Sequence, residues 1–115
     1  MGDFMTKARV YSQYCIEASA LLGRQIRLGR KQKKWTERDL AERANISRVT
    51  LNKIEKGDLS CKIGLVFELA SLVGIELFES SHAALTMQLD RTNDKIALLP
   101  KAIHSAGRKV IDDDF

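Results

Sequence analysis

Apolar residues recur along this chain at helical spacing, in short runs broken by residues that start and stop helices. From about Ser12 to Lys33 no proline intervenes, and Ala18, Leu22, Ile26 and Gly29 repeat on one side of a predicted helix. Thr36 then offers an N-cap with Asp39 three residues on, a near version of the capping box, and Trp35 and Leu40 are spaced as a hydrophobic staple. The same grammar repeats at once, with Ser47 as cap and Ile46 and Leu51 as staple. Between the two, Asn45 stands where a helix ends and the backbone needs a left-handed residue. A fourth helix is predicted from Lys62 to Val73, with Ile63, Val66, Phe67, Ala70 and Val73 on one face and Gly74 as terminator. Ile75-Glu76-Leu77-Phe78 alternates like a strand, but four residues leave that assignment open; the segment reads as a connector packing Leu77 and Phe78 onto the core. Ser80 or Ser81 caps a last helix reaching about Leu99, before Pro100 ends it.

The stretch from Thr36 to Glu55, closed by Lys56-Gly57, therefore predicts two helices of roughly 8–9 residues joined by a turn of roughly 3–4. That is a helix-turn-helix unit, whose second helix can enter a DNA major groove. The last helix carries a different pattern. Leu85, Leu89, Thr92, Ile96 and Leu99 repeat as two heptads of an a/d seam, which either covers its own domain or pairs with a second subunit. It follows an already complete small core, which favours pairing.

At 115 residues the chain suits one core without disulfides or metal. Few aromatics, seven Gly and one Pro fit an all-α fold. The net charge of +4 is unevenly spread: from Arg24 to Lys56 there are 11 Lys/Arg against 4 Asp/Glu, a local balance of +7, and the remainder is at −3. Basic charge gathered on the helix-turn-helix is either a solvated face or the footprint of a polyanion partner. Arg24, Arg27, Arg30, Lys31, Lys33 and Lys34 crowd the end of the first long helix, where cations suit the dipole. Cys15 and Cys61 form no CxxC pair and only His82 and His104 accompany them, so no metal, no cofactor and a cytoplasmic setting with reduced thiols are expected. The apolar-rich run Ile63 to Phe78 carries Glu68 and Glu76 and is too short to span a bilayer, and no signal peptide is read at the N-terminus. No nucleophile-base arrangement, phosphate-gripping glycine loop or carboxylate pair argues for an enzyme.

Residues Leu21 to Phe78 resemble the repressor/Cro-like (XRE) helix-turn-helix family through Ile26-Arg27, Arg30, Trp35-Thr36, Asp39-Leu40-Ala41-Glu42-Arg43-Ala44, Ile46-Ser47-Arg48, Thr50-Leu51, Ile54-Glu55, Lys56-Gly57 and Leu69-Ala70 before Gly74. The resemblance implies an all-α, five-helix repressor-like bundle with a C-terminal helix and flexible tail. Its divisions are an N-terminal arm at 1–11, a DNA-binding domain at 12–79, a helix for dimer or partner contact at 80–100 and a tail at 101–115. It implies that Arg30 and Glu55 form a structural ion pair and that Leu40, Ala41, Ala44, Ile46, Leu51 and Ile54 face the core. Arg48, Val49, Asn52 and Lys53 are then the base-reading face, unless they are simply a solvated helix surface. Arg48 and Lys53 would donate to guanine, Asn52 would pair with adenine or reach a phosphate, and Val49 would touch a thymine methyl. Ser47 and Thr50 stand beside the DNA backbone with Arg38, Lys56, Lys62 and, as further anchors, Lys33 or Lys34. Two departures stand out. Glu37 replaces a common glutamine that helps grip a phosphate or brace the recognition helix, which suggests that it serves helix N-terminal amides instead. Lys34 replaces a common glycine.

A narrower resemblance rests on Leu21-Leu22-Gly23, the run Lys62-Ile63-Gly64-Leu65-Val66-Phe67-Glu68, Leu77-Phe78, Leu98-Leu99-Pro100-Lys101 and Asp112-Asp113-Asp114-Phe115. These are similar to antitoxins paired with HipA-like kinase toxins. The implied partners are a pseudo-palindromic double-stranded operator, a second copy of the chain through Leu85, Leu89, Ile96 and Leu99, and the kinase. The tail is then a docking segment anchored by Phe115, a proteolysis-sensitive end or a solubilising terminus. The competing reading is a stand-alone XRE-type regulator without a toxin.

Overall fold

A computed structural model describes residues 9–78 and 81–101. Five helices follow one another there: α1 (Gln13–Gln32), α2 (Glu37–Ala44), α3 (Arg48–Glu55), α4 (Ile63–Val73) and α5 (His82–Leu98). The all-α expectation holds, and no strand occurs among the described residues; the 75–78 segment is irregular. The outer parts of the predicted arm and tail, including Phe115 and its acidic neighbours, lie outside the described residues, as does Ser80.

The start signals act as their chemistry requires. Thr36 and Asp39 complete a reciprocal capping box: the Asp39 amide donates to Thr36 Oγ1 at 3.0 Å and the Thr36 amide to Asp39 Oδ2 at 2.8 Å. Ser47 and Ser81 cap α3 and α5 by accepting from the amides of Thr50 and Ala84. Asn45 ends α2 in the left-handed region at φ 57°. Lys34 adopts φ 61° in the turn after α1, the conformation a glycine would enter without a Cβ penalty.

The chain divides into two compact units, Met1–Leu77 and Phe78–Phe115. In the first, α1 packs on α3 and α4, and α2 packs on the same two helices. Ile26, Leu40, Ala41, Leu51, Ile54, Leu69 and Val73 form its buried cluster, and Trp35, Ala44 and Ile46 pack against it. Fully burying each Leu or Ile stabilises by about 1.5–3 kcal/mol. Two sequence expectations are corrected. On α4 the core face is Leu69, Ala70 and Val73, whereas Ile63 and Phe67 are exposed. In the connector Ile75 packs onto the core, while Leu77 and Phe78 stay 38 % and 64 % exposed. On α4 the run from Ile63 to Phe67 is apolar on every side, so periodicity selects no face there; in the connector four residues are too few to fix which side is buried.

Two glycines let α1 approach the end of α3. A Cβ on Gly23 would stand 2.4 Å from the Ile54 carbonyl oxygen and 2.7 Å from that of Glu55. Gly57, at φ 85°, passes so close to Ala20 that a Cβ would meet its Cα at 2.7 Å. In the second unit α5 buries none of its residues. Leu85, Leu89 and Ile96 are 43 %, 60 % and 62 % exposed. Leu99, expected to close the stripe, is the C-cap in extended conformation and does not continue the helical repeat, because Pro100 disfavours helical backbone before it.

Candidate nucleic-acid interface

Eight residues of α3 divide cleanly by the 3.6-residue repeat. Leu51, Ile54 and Glu55 point inward and are buried. Arg48, Val49 and Lys53 are exposed, and Asn52 is half-buried beside them. This places the four predicted base-reading side chains on one outward surface.

What fixes that surface is a buried ion pair at the other edge of the helix. Glu55 has no exposed area and Arg30 is 6 % exposed. Arg30 Nε donates to Glu55 Oε2 at 2.8 Å and Nη2 to Oε1 at 3.2 Å, a bidentate fork across 25 residues of sequence. Hydrogen bonding to Glu55 raises the Arg30 pKa above its ordinary value, against the opposing effect of burial. Its remaining nitrogen, Nη1, donates to the Trp35 carbonyl at 3.1 Å, so one guanidinium ties α1, the turn before α2 and the end of α3.

Two further arginines, expected from the sequence to serve the α1 dipole, share that anchor. Arg27 Nε donates to Glu55 Oε1 at 3.3 Å, and Arg24 Nη1 donates to the Glu55 main-chain carbonyl at 2.6 Å. Arg24, Arg27 and Arg30 lie at three-residue intervals on one face, and that spacing was the available signal. Ser19 Oγ donates to the Gly57 carbonyl at 2.9 Å. The carbonyl that ends α3 and one just past its C-cap thus receive donors from α1.

The residues expected to meet the DNA backbone stand on several elements. Arg38 is exposed and pairs with Glu42 at 3.2 Å within α2. Lys56 is the exposed C-cap of α3, and Lys62 the exposed N-cap residue of α4. Ser47 is committed: its hydroxyl accepts from the Thr50 amide and donates to Thr50 Oγ1, both at 3.0 Å. Thr50 keeps its own hydroxyl hydrogen to give.

Glu37 departs from expectation. Its carboxylate turns toward α3, where Oε1 accepts from Asn52 Nδ2 at 3.4 Å and stands 3.8 Å from Arg48 Nη2. The first residue of α2 borders the first turn of α3, so opposite charge draws it there. At the base of α2, Arg43 lies 4.1 Å from the centre of the Trp35 ring and Lys33 Nζ 5.4 Å from it. Cys15 and Cys61 are free thiols, and burial raises the pKa of Cys61. Among the described residues no group of three or more His, Cys, Asp or Glu could hold a metal, and no helix is long and apolar enough to cross a membrane.

No curated protein matches the chain. Among solved structures it is similar to one described as an MDT protein, at 18 % identity and a TM-score of 0.48, over 66 % of this chain and 99 % of that one. Residues 26–80 match the family model described as helix-turn-helix. With the turn geometry and the outward α3 surface, the match identifies residues 26–80 as a helix-turn-helix domain, the DNA-binding module of transcriptional regulators.

Proposed function

We propose that this protein is a homodimeric, sequence-specific binder of double-stranded DNA that represses its own operon in the cytoplasm and serves as the antitoxin of a HipA-like kinase. The observation that carries the DNA reading is the α3 helix, pinned from behind by Arg30 and Glu55 and turning Arg48, Val49, Asn52 and Lys53 outward. Arg48 and Lys53 read guanine, Val49 meets a thymine methyl, and Arg38, Thr50, Lys56 and Lys62 hold phosphates, with Ser47 serving chiefly as the helix cap. Two copies present reading helices to half-sites about one helical turn, ~34 Å, apart.

The dimer or kinase contact is supported by α5, whose Leu85, Leu89 and Ile96 are exposed along a helix with no buried residue. Most helical stability in proteins comes from packing an apolar face rather than from propensity, so a covering partner would stabilise α5.

The decisive experiment is binding to selected and scrambled duplexes over a salt series. A dimer neutralising roughly 6–10 phosphates gives a log–log slope of about −5 to −9. Arg48→Ala should relax preference at one base pair per half-site by about 1–3 kcal/mol, whereas Lys56→Ala should weaken all sequences alike and flatten the slope. Equal losses on both duplexes for Arg48→Ala would remove it from base reading. Co-expression with the neighbouring gene product separates the antitoxin from a stand-alone regulator: capture of a kinase-like protein, lost on changing Leu89 and Ile96, supports the former.

A further inference from the structure

The hydrogen bonds of Asn52 restrict what it can read. A primary amide offers two N–H donors and one carbonyl acceptor. Asn52 Nδ2 faces two acceptors: Glu37 Oε1 at 3.4 Å and the Arg48 main-chain carbonyl at 3.2 Å. Neither of those oxygens can donate, so turning the amide over would set its own oxygen against a carboxylate and a carbonyl. Giving one N–H to each of these acceptors engages both inside the protein and leaves Oδ1 for an outside partner.

We infer that Glu37 is a specificity-determining residue that holds Asn52 as a hydrogen-bond acceptor alone, so that Asn52 selects base pairs by an exocyclic amine in the major groove. This rests on the proposed DNA-reading role of α3. Bidentate pairing of asparagine with adenine needs a donor for N7 as well as an acceptor for N6. With its donors engaged, Asn52 accepts from adenine N6 or cytosine N4 and is indifferent between them. Guanine and thymine offer only acceptors at the corresponding edge and leave Oδ1 facing another oxygen. The Arg48 side chain, 3.8 Å from the same carboxylate, keeps further donors for guanine, so one anion supports two readers of opposite preference.

Selection of binding sites from a randomised duplex pool tests this with the full-length protein. The wild type should show one position per half-site at which adenine and cytosine bind within about threefold of each other and guanine and thymine about tenfold or more weaker. Asn52→Ala should erase the preference at that position and no other. Glu37→Ala frees one N–H of Asn52 and should turn the position toward adenine over cytosine by about tenfold. The inference is overturned if adenine already exceeds cytosine tenfold in the wild type, if Glu37→Ala leaves the pattern unchanged, or if Asn52→Ala alters no position. A wild type that selects no sequence at all overturns the DNA-reading proposal along with it, which distinguishes the two failures. The wild-type pattern alone decides the matter should either variant fold poorly.

Discussion

Replacing Glu55 by leucine removes the charge on which α1 converges. The carboxylate is fully buried and accepts from Arg30 at 2.8 and 3.2 Å and from Arg27 at 3.3 Å. Leucine is similar in bulk, so the cost is electrostatic rather than a cavity. Arg30 would keep only its bond to the Trp35 carbonyl, with its charge unmatched where water reaches poorly. Stranding one member of such a pair costs about 3–5 kcal/mol. Arg27 is more exposed and can turn to solvent, so it adds little. A domain of this size is stable by roughly 5–15 kcal/mol, and each kcal/mol moves Tm by about 4–8 °C, so the midpoint should fall by about 12 °C or more. Arg30→Met strands Glu55 instead and should cost a similar amount. The double variant Arg30→Met, Glu55→Leu removes both charges and should recover most of the loss. Urea unfolding of all four proteins, followed by far-ultraviolet circular dichroism, reads the cycle. A loss below about 1 kcal/mol for Glu55→Leu, or a double variant as unstable as the two single losses combined, would refute the pair as the pin between α1 and α3.

Gly23→Ala places a methyl against the Ile54 and Glu55 carbonyls and should destabilise by about 1–3 kcal/mol; an unchanged denaturation midpoint would deny the close approach. Lys34→Gly relieves a left-handed lysine, worth about 1–2 kcal/mol, against about 0.5–1 kcal/mol of added chain entropy, so thermal stability should rise slightly, and a fall would count against it. The backbone hydrogen bond from Thr36, then that residue's side chain, holds the Asp39 carboxyl below its ordinary value. Its folded pKa lies below the unfolded value of about 3.9, so its stabilisation is complete above that pH and is lost as pH falls through the folded value. The melting gap between wild type and Asp39→Ala should therefore narrow in acid, and a constant gap would exclude the linkage.

Local grammar was legible in the chain, while distant contact was legible only where the family resemblance supplied it, as for Arg30 and Glu55. The caps at Thr36, Ser47 and Ser81 and the left-handed Asn45 depend on neighbours within four residues, and the sequence displays those neighbours directly. The inward face of α2 was readable because Arg38, Glu42 and Arg43 mark its outer side, whereas on α3 the inward place of Glu55 followed only from the family resemblance. On α4 the run from Ile63 to Phe67 is apolar all round, so only the packing of α1 and α2 could choose Leu69 and Val73. The grip of Arg24 on the Glu55 carbonyl joins residues 31 apart: the spacing of Arg24, Arg27 and Arg30 marks a shared face but does not name its partner. Glu37 differs from expectation for a related reason: its helix position offers amides nearby, but the neighbouring helix brings Asn52 and Arg48 within reach.

Trp35 is the chain's single tryptophan, half-buried, with Arg43 over its ring and Lys33 nearby. The protein thus carries an intrinsic fluorophore whose emission is tuned by two cations at the margin of the basic surface. A polyanion that draws either cation away from the indole changes that emission, and the titration needs neither a dye nor a label.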